Sequence, residues 1–348
     1  MNIQINMLNV GDGDAIIVHL TRNTEHLVVL IDAGHPGDAQ LCFDALTPVL
    51  KSSGKTAPDL IVVSHYDSDH IGGMTTVVEK YKGAIKKAWL HKPRILMKVA
   101  AAAPGLLLEH LANSPEYDLI EDYDTFNHPL KTNDARQLVL ESYNQMKGLM
   151  ASLDSYSIPT EQPLAGHTLT GWEEIKVLGP TETFYKDCLK KMKDVPQVIE
   201  QETQLMLNES RKPHLIKFTK FIEKSTNPCE FLKTQKKDHV TEVNQISIII
   251  QIVVDGNKYL FTGDASLESF ENIPAYPESL KNIYWLKVPH HGSHNNSSPE
   301  LFDIMAPKFA DISGGDRYLD EEVPGCLTAK NVKVRSTLEA GHDLIFPY

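Results

Sequence analysis

Residues 64–73 read Ser-His-Tyr-Asp-Ser-Asp-His-Ile-Gly-Gly and carry the clearest chemical signal in the chain. They follow the apolar, β-branched run Leu-Ile-Val-Val, which predicts a buried strand. Four candidate ligands, His65, Asp67, Asp69 and His70, therefore lie where a strand ends and a loop begins. Residues two apart in an extended segment point the same way. We therefore expect His65, Asp67 and Asp69 to converge, with His70 turned towards a neighbouring point.

Two imidazoles and two carboxylates within six residues suit one or two divalent metals. Ligands of this kind fit zinc, and the oxygen-rich mixture also fits manganese. A single histidine at a strand end is more often a structural residue, but the full pattern is much rarer. A calcium loop is excluded because it needs an oxygen ligand just before its glycine, and position 71 is Ile.

Two further strand ends carry side chains of the same types. Asp264 follows a predicted strand at 258–262, behind a glycine that lets the backbone approach closely. His290 and His291 follow a predicted strand at 283–288. An aspartate in such a position is by itself more often a helix cap, and a histidine pair alone is ambiguous. The three strand ends together predict a metal centre.

The composition is that of a globular protein of one large domain or two ordinary ones, with 348 residues, 41% of them hydrophobic. No apolar run approaches 18 residues, so no membrane span is predicted. The first residues lack the pattern of a signal peptide. The net charge of −12 argues against a uniformly basic nucleic-acid surface, although a local basic face is compatible with it.

The four cysteines, Cys42, Cys188, Cys229 and Cys326, are far apart and form no Cys-x-x-Cys pair. This spacing predicts reduced thiols in a cytoplasmic protein. It supports neither a disulfide framework nor a cysteine metal site.

The motif at 65–70 resembles the His-x-(His or Asp)-x-Asp-His loop of the metallo-β-lactamase fold hydrolases. Three more motifs resemble the branch that includes the soluble domain of the bacterial competence DNA-uptake protein ComEC. They are Val-Gly-Asp-Gly-Asp-Ala at 10–15, Thr-Gly-Asp at 262–264 and Lys-Val-Pro-His-His-Gly-Ser at 287–293. The glycines at 11 and 13 do not form a dinucleotide fingerprint, because position 16 is Ile and a strand follows.

This resemblance implies an α/β fold, the four-layer αβ/βα metallo-β-lactamase sandwich with mainly helical insertions. The expected division is a first half of the sandwich at 1–95, a helical insertion at 96–169, a core strand at 170–182, a Lys-rich insertion at 183–239 and a second half at 240–348.

The resemblance also implies roles for individual residues. His65 and Asp67 correspond to ligands of a first metal, and Asp264 to a carboxylate that bridges two metals. Ligands of the second metal are expected to be Asp69, His70 and His290, with His291 as the alternative to His290. Asp32 corresponds to a residue that braces the loop without ligating, although a plain turn carboxylate fits it equally well.

The third histidine of the usual first site has no match here, and Asn244 stands near its place. An amide oxygen is a weaker ligand than imidazole, so this site is expected to bind more weakly or to favour Mn²⁺ or Mg²⁺ over Zn²⁺. Two divalent ions are therefore expected, with Zn²⁺ the first choice and Mn²⁺ or Mg²⁺ the alternative.

The expected chemistry is hydrolysis by metal-bound hydroxide, since a divalent ion can bring the pKa of bound water from 15.7 to about 7. Asp69 is the candidate to orient or deprotonate the water. Ser293 or His294 is a candidate to hydrogen-bond a substrate oxyanion, and a loop-stabilising role is the alternative for both.

The ComEC-like resemblance favours a phosphodiesterase or nuclease acting on DNA or another nucleic acid. A hydrolase of a small ester, thioester, lactone or cyclic nucleotide is the first alternative. A non-catalytic metal-binding protein, whose insertions contact a protein partner, is the second. The Lys-rich segment is either a solvated helix face or a guide for a polyanion, with nearby phenylalanines available for base stacking. Its members are Arg211, Lys212, His214, Lys217, Phe218, Lys220, Phe221, Lys224, Phe231, Lys233, Lys236 and Lys237.

Overall fold

A computed structural model describes residues 1–112, 131–210, 227–314 and 319–347. The strands are β1 Asn2–Met7, β2 Ile16–Arg22, β3 Glu25–Ile31, β4 Leu60–Val62, β5 Lys87–Trp89, β6 Thr160–Glu161, β7 Thr168–Leu169, β8 Trp172–Gly179, β9 Ile249–Val254, β10 Asn257–Phe261, β11 Ile283–Lys287, β12 Phe309–Ile312, β13 Lys333–Ser336 and β14 Leu344–Phe346. The α-helices are α1 Ala39–Ser53, α2 Ser68–Ile71, α3 Met74–Tyr81, α4 Arg94–Ala112, α5 Thr132–Ser155, α6 Glu182–Lys191, α7 Val195–Ser210, α8 Pro228–Thr234, α9 Glu242–Gln245, α10 Leu267–Glu271, α11 Pro299–Met305, α12 Glu322–Ala329 and α13 Thr337–Ala340.

Within the described ranges the strands form two seven-stranded sheets, in the orders β14-β1-β2-β3-β4-β5-β6 and β13-β12-β11-β10-β9-β8-β7. In the first sheet β3, β4 and β5 run parallel, and in the second β10, β11 and β12 run parallel. The loops that follow parallel strands lie at one edge of a sheet, where α/β proteins commonly bind ligands. The predicted ligands follow β4, β10 and β11.

Large apolar side chains fill the space between the two sheets. Trp89 of the first sheet and Trp285 of the second are fully buried there, with Phe261 and Phe346 in the same cluster. The ring centroids of Phe261 and Trp285 lie 5.1 Å apart. Burial of such rings is a large apolar contribution to stability.

The outer face of each sheet is covered by helices. Leu46 of α1 and Val77 of α3 pack with the outward-facing residues of the first sheet. Phe270 of α10, Phe302 of α11 and Leu327 of α12 do the same for the second. The result is a four-layer αβ/βα sandwich, which confirms the predicted fold class.

Three helices outside the sandwich pattern lie together. Helices α4 and α5 come from the segment in which a helical insertion was expected, and α7 packs against both. Between α5 and β8, the short strands β6 and β7 extend one sheet each. The expected insertion at 96–169 therefore includes two short sheet strands at its end.

Most of the Lys-rich segment, including Phe218, Phe221 and the basic residues at 211–224, lies outside the described residues. Three of its lysines, Lys233, Lys236 and Lys237, are described, and the ammonium groups of two of them contact neighbouring elements. The Lys237 ammonium donates to the carbonyls of His294 and Ser297 at 2.6 and 2.7 Å, and that of Lys233 lies 3.3 Å from a Glu300 carboxylate oxygen. In this part of the segment, Lys233 and Lys237 hold neighbouring elements together.

Among the described residues, α4 alone is long and apolar enough to cross a membrane when judged by length and composition. A single such helix is weak evidence for a span, since core helices and signal sequences pass the same test. Here α4 packs against α5 and α7.

The prediction that all four cysteines are reduced is wrong. Cys229 and Cys326 form a disulfide, whereas Cys42 and Cys188 are free and buried. The two bonded residues are 97 positions apart. Sequence spacing could not show that α8 packs against α12, which brings the two sulfurs together. Because the cytoplasmic assignment was based on reduced thiols, it loses that support.

The disulfide predicts the result of a thiol count. With excess iodoacetamide in denaturant, the unreduced protein should take up two alkyl groups, and four after reduction. In the native protein Cys42 and Cys188 should react slowly, because burial raises the pKa of both thiols to about 12. Intact mass measures each state, and four groups added without reductant would contradict the bond.

His91 is a buried histidine that should make stability depend on pH. Its Nε2 donates to the Pro163 carbonyl at 2.7 Å, and its own carbonyl accepts from the Tyr66 hydroxyl. Burial lowers the pKa of His91 to about 4. The unfolded chain therefore binds a proton at this residue below about pH 6.5, while the folded chain binds it only near pH 4.

We predict that His91 contributes a loss of stability between pH 6.5 and pH 4, by roughly 3 kcal/mol at most. The His91→Gln variant keeps a donor but does not titrate, so the unfolding free energy of the metal-free protein should fall less steeply with acid. Urea unfolding at pH 7.0 and pH 5.0 measures both slopes. Equal slopes would show that His91 does not titrate between the two states as described.

Candidate metal centre

The loop after β4 is held by Asp32 and then turns into a short helix. Asp32 accepts from the Ser64 backbone N–H at 2.8 Å and from the Ser64 hydroxyl at 2.6 Å. Helix α2 begins at Ser68, and the N–H of His70 donates to the Asp67 carbonyl at 2.9 Å. The expectation that Asp69 continues an extended alternation is therefore wrong. A helical turn brings Asp69 and His70 to the centre.

The two glycines that follow this loop are required by close packing. A Cβ at Gly72 would lie 2.4 Å from the Pro36 nitrogen, and one at Gly73 would lie 2.4 Å from the Ala33 carbonyl oxygen. Any side chain at either position would push the start of α3 away from the loop after β3. These glycines allow the metal-loop segment to lie against the residues next to Asp32.

Asp264 reaches the centre because the backbone just before it passes very close to the metal loop. Gly263 has a φ of +51°, and a Cβ there would lie 3.0 Å from the Cβ of Ser64. The Asp264 N–H donates to the Ser247 hydroxyl at 3.2 Å. The side chain is 1% exposed. These contacts place one carboxylate from the second sheet beside the ligands of the first.

His290 and His291 both adopt left-handed backbone conformations, with φ values of 47° and 51°. Such conformations cost about 1–2 kcal/mol for each non-glycine residue and persist where other contacts impose them. Here the His290 N–H donates to the Gly263 carbonyl at 3.2 Å, and its carbonyl accepts from Ser293 at 2.8 Å. Consecutive outliers of this kind, directly after a strand, indicate a functional constraint on the two imidazoles.

Four imidazole nitrogens surround one oxygen of Asp264. The distances from Asp264 Oδ2 are 3.3 Å to Nε2 of His70, 3.5 Å to that of His290, 3.6 Å to that of His291 and 3.7 Å to that of His65. All of these side chains are buried. The structure thus brings together histidines from both halves of the chain around a single carboxylate.

The remaining two carboxylates divide the cluster into two ligand sets. Asp69 Oδ2 lies 3.2 Å from His291 Nε2 and 3.6 Å from His70 Nε2, and the two imidazole nitrogens are 3.3 Å apart. On the other side, Asp67 Oδ2 lies 3.4 Å from His65 Nε2. Asp264 is common to both sets. All seven predicted ligands are therefore at one site.

The geometry distinguishes the two histidines that sequence left as alternatives. Asp69, His70 and His291 offer atoms that all lie within 4.8 Å of one another, as do His65, His70 and Asp264. His291 is thus the histidine that fits the second set. His290 faces Asp264 as well and is available to the first set, where the sequence lacks the usual third histidine.

Each histidine is oriented by an oxygen on its Nδ1 side. The partners are Ser64 Oγ for His65 at 3.0 Å, Asp32 Oδ2 for His70 at 2.9 Å, Asn296 Oδ1 for His290 at 2.9 Å and the Ser313 carbonyl for His291 at 2.9 Å. Carboxylate, amide and carbonyl oxygens accept a hydrogen bond, so Nδ1 carries the proton. Nε2 then presents a lone pair to the centre, which is the usual arrangement of metal-binding histidines.

These lone pairs need a cation. Nε2 of His65 and Oδ1 of Asp264 are buried and have no hydrogen-bond partner. Nitrogen lone pairs and carboxylate oxygens that face each other at such distances repel, and buried polar atoms without partners are costly. Imidazole and carboxylate donors suit Zn²⁺ and Mn²⁺. The residues present therefore fit divalent metal ions.

The electrostatics of the cluster point the same way. Burial by itself lowers the pKa of His70, but Asp264 and Asp69 outweigh it and raise this pKa well above its ordinary value. Burial raises the pKa of Asp264, and the surrounding histidines, His70 first, lower it further than burial raises it. A site that retains protons so strongly attracts metal cations in their place.

Sequence reasoning missed two buried residues, Asp14 and Lys287, that contact the cluster and the backbone next to it. Asp14, in the Gly-Asp-Gly-Asp turn, lies 2.5 Å from the ammonium of Lys287 and accepts from the Ser313 hydroxyl. Lys287 is fully buried, lies 3.6 Å from Asp264 Oδ1 and donates to the Gly263 carbonyl at 3.1 Å. Both residues lie within the motifs quoted above. Their types gave no sign of a role because their partners come from distant segments.

Asp32 has the bracing position that was expected of it, between Ser64 and His70. Asn244 instead interacts with its own short helix, where its amide oxygen lies 3.4 Å from the Thr241 hydroxyl. Ser293 caps the turn after the histidine pair, accepting from the N–H of Asn295 at 3.4 Å.

His294 belongs to a different cluster. Its Nδ1 lies 2.7 Å from Asp320 Oδ2, and its Nε2 lies 3.2 Å from the Lys236 carbonyl. These contacts fix the loop after the histidine pair. The proposed contact of His294 with a substrate oxyanion stays a prediction.

The family description of the metallo-beta-lactamase superfamily matches residues 9–143. The matched segment includes the loop with His65, Asp67, Asp69 and His70, and ends within α5. No curated protein matches the chain. The chain thus contains a metallo-β-lactamase superfamily domain at 9–143 and has the two-sheet fold of that class. Its His and Asp clusters, completed by Asp264 and His291 from beyond the matched segment, can bind metal.

We predict that the protein binds two divalent ions per chain and that His291→Ala lowers this by about half. The substitution removes an imidazole from the set of Asp69 and His70, while His65, Asp67 and Asp264 stay. The number of metal ions per chain is measured after gel filtration by inductively coupled plasma mass spectrometry. The control is Asp303→Ala, at an exposed side chain on α11, which should keep its metal. Equal losses in both variants would contradict the assignment.

Proposed function

We propose that this protein is a metal-dependent hydrolase of phosphodiester bonds, with DNA or another nucleic acid as the expected substrate class. The observation that carries the proposal is the carboxylate of Asp264 shared by two sets of buried ligands. A shared carboxylate suits a pair of ions about 3.5–4 Å apart, the arrangement of many phosphatases and nucleases. The nucleic-acid class rests on the resemblance of the motifs to the ComEC-like branch.

His65, His70 and Asp264, and Asp69 with His70 and His291, would hold the divalent ions. When bound, such ions would supply a nucleophile from water at neutral pH and neutralise charge on the scissile group. The protein itself would contribute through Asp69, which is the candidate to act on the attacking water. Burial raises its pKa, but His70 and His291 together lower it well below its ordinary value, so the carboxylate is ionised. Asp69 also lines a cleft beside the cluster. From this position its carboxylate can orient the attacking water or accept its proton, while the phosphorus–oxygen bond to the leaving oxygen breaks.

A specific observation also favours a small substrate as the second candidate. The cleft beside Asp67 and Asp69 is small, with a water-accessible volume of about 20 Å³, and the apolar Val139 and Leu205 contribute to its lining. The net charge of −12 also disfavours a long polyanion. A cyclic nucleotide or a small ester would satisfy the same metal centre.

Cleavage of a labelled single-stranded oligonucleotide with added Mn²⁺ or Zn²⁺ tests the proposal. Asp69→Ala should lower the rate by a factor of about 100 or more, because general-base catalysis contributes on the order of 10²–10⁴. Asp303→Ala is the matched control, since Asp303 is 66% exposed on α11. Its activity should equal that of the wild type.

Other substrates separate the alternatives. Hydrolysis of a cyclic dinucleotide without cleavage of the oligonucleotide would assign a small phosphodiester. Hydrolysis of p-nitrophenyl acetate alone would contradict phosphodiester chemistry. Bound metal with no turnover on any of these would favour the non-catalytic alternative. The metal content of Asp69→Ala is measured in parallel. A lower metal content would show that the variant has lost a ligand, whereas an unchanged content would show that it has lost a base.

A further inference from the structure

The cleft beside the metal cluster is built by two different parts of the chain. Its floor includes Asp67 and Asp69 of the metal loop. Its wall is formed by α5 and α7, which contribute Tyr143, Glu202 and the apolar Leu205. Two of the helices outside the sandwich pattern therefore lie beside Asp67 and Asp69.

Helix α5 is fixed against the metal loop, so its side chains have defined positions there. Helix α2, which carries Asp69 and His70, packs on α5. The hydroxyl of Ser68 donates to the side-chain oxygen of Gln145 at 3.3 Å. Val139, Ser142 and Tyr143 have the i, i+3, i+4 spacing of one helix face, and all three line the cleft.

The hydroxyl of Tyr143 is unusual for a buried tyrosine because it has no hydrogen-bond partner. The side chain is 2% exposed. A buried hydroxyl usually has a partner, and one without a partner costs about 1–3 kcal/mol. The ring alone would serve packing, as a phenylalanine would. The hydroxyl therefore needs an explanation other than the stability of the fold.

The hydroxyl is a donor, not an anion. Burial raises the pKa of Tyr143 well above its ordinary value, and the neighbouring carboxylates of Glu202 and Asp67 raise it further. A neutral phenol in a cleft can give one hydrogen bond to an oxygen atom. The atom that would gain most from it is one that carries negative charge.

We propose that Tyr143 binds the substrate, donating a hydrogen bond from its hydroxyl to a non-bridging oxygen of the phosphoryl group held at the metal cluster. This assignment rests on the proposed phosphodiester hydrolysis and adds a substrate-binding residue from α5. It also gives the helical segment at 132–155 a role in recognition.

The variant Tyr143→Phe separates this role from a structural one. Removing a hydroxyl that has no partner should leave the melting temperature unchanged or slightly raise it. Tyr66→Phe is the matched control, because its hydroxyl donates to the His91 carbonyl and its loss should lower the melting temperature. Metal content should stay at the wild-type value in Tyr143→Phe.

Binding of inorganic phosphate to the metal-loaded protein, measured by calorimetry, tests the contact without turnover. One hydrogen bond to a charged oxygen predicts that Tyr143→Phe binds phosphate roughly 10- to 100-fold more weakly. With bis(p-nitrophenyl) phosphate, kcat/KM should fall by a similar factor. Unchanged phosphate affinity in the variant, or no phosphate binding by the wild type, would overturn the proposal.

The two proposals fail in different ways. If the wild type hydrolyses no phosphodiester but Tyr143→Phe still weakens phosphate binding at constant metal content, the reaction is wrongly assigned and the contact is upheld. If the wild type turns over and Tyr143→Phe equals it in both kcat/KM and phosphate affinity, the hydrolase stands and the role of Tyr143 is refuted.

Discussion

The arrangement depends on one carboxylate, that of Asp264, which has four imidazole nitrogens around a single oxygen. The group is buried, and burial of an unpaired anion is very costly. Charged groups and hydrogen-bond donors from both sheets stabilise the buried carboxylate. Lys287 approaches one carboxylate oxygen from behind, and the histidines face the other. A cation between the facing lone pairs completes the balance.

The sandwich fold lowers the conformational entropy cost of bringing these ligand side chains together. Each ligand follows a strand whose register is fixed by the core between the sheets, where Trp89 and Trp285 are buried. Glycines at 72, 73 and 263 allow the loops to approach one another closely. The outer oxygen partners, such as Asp32 and Asn296, then fix the orientation of each ring. Rigid strands and oriented rings together give a preorganised site, which is what metal binding and catalysis require.

The helices outside the sandwich determine access to that site. Helices α5 and α7 form the wall of the cleft and add a phenol, a carboxylate and apolar surface. Under the proposed function, the candidate metal centre would carry out the reaction and this wall would select the substrate. One fold can support many substrates, because function depends on the residues that are added around a shared scaffold. The identity of the substrate is thus a question about α5 and α7.

The sequence by itself determined the elements and the ligand types. Apolar runs with turn residues between them predicted the strands, and the placement of His65, Asp67, Asp69, His70 and Asp264 directly after strands predicted a metal centre. These are local features, so local patterns reveal them. Only the tertiary structure decided which histidine of the pair at 290–291 joins Asp69, because left-handed backbone at both residues sets the direction of each ring. It also decided the partnership of Asp14 with Lys287, the bond between Cys229 and Cys326, and the presence of Tyr143 in the cleft. In each case the interacting groups are distant in sequence, and their contact follows from the packing of sheets and helices, which residue spacing does not encode.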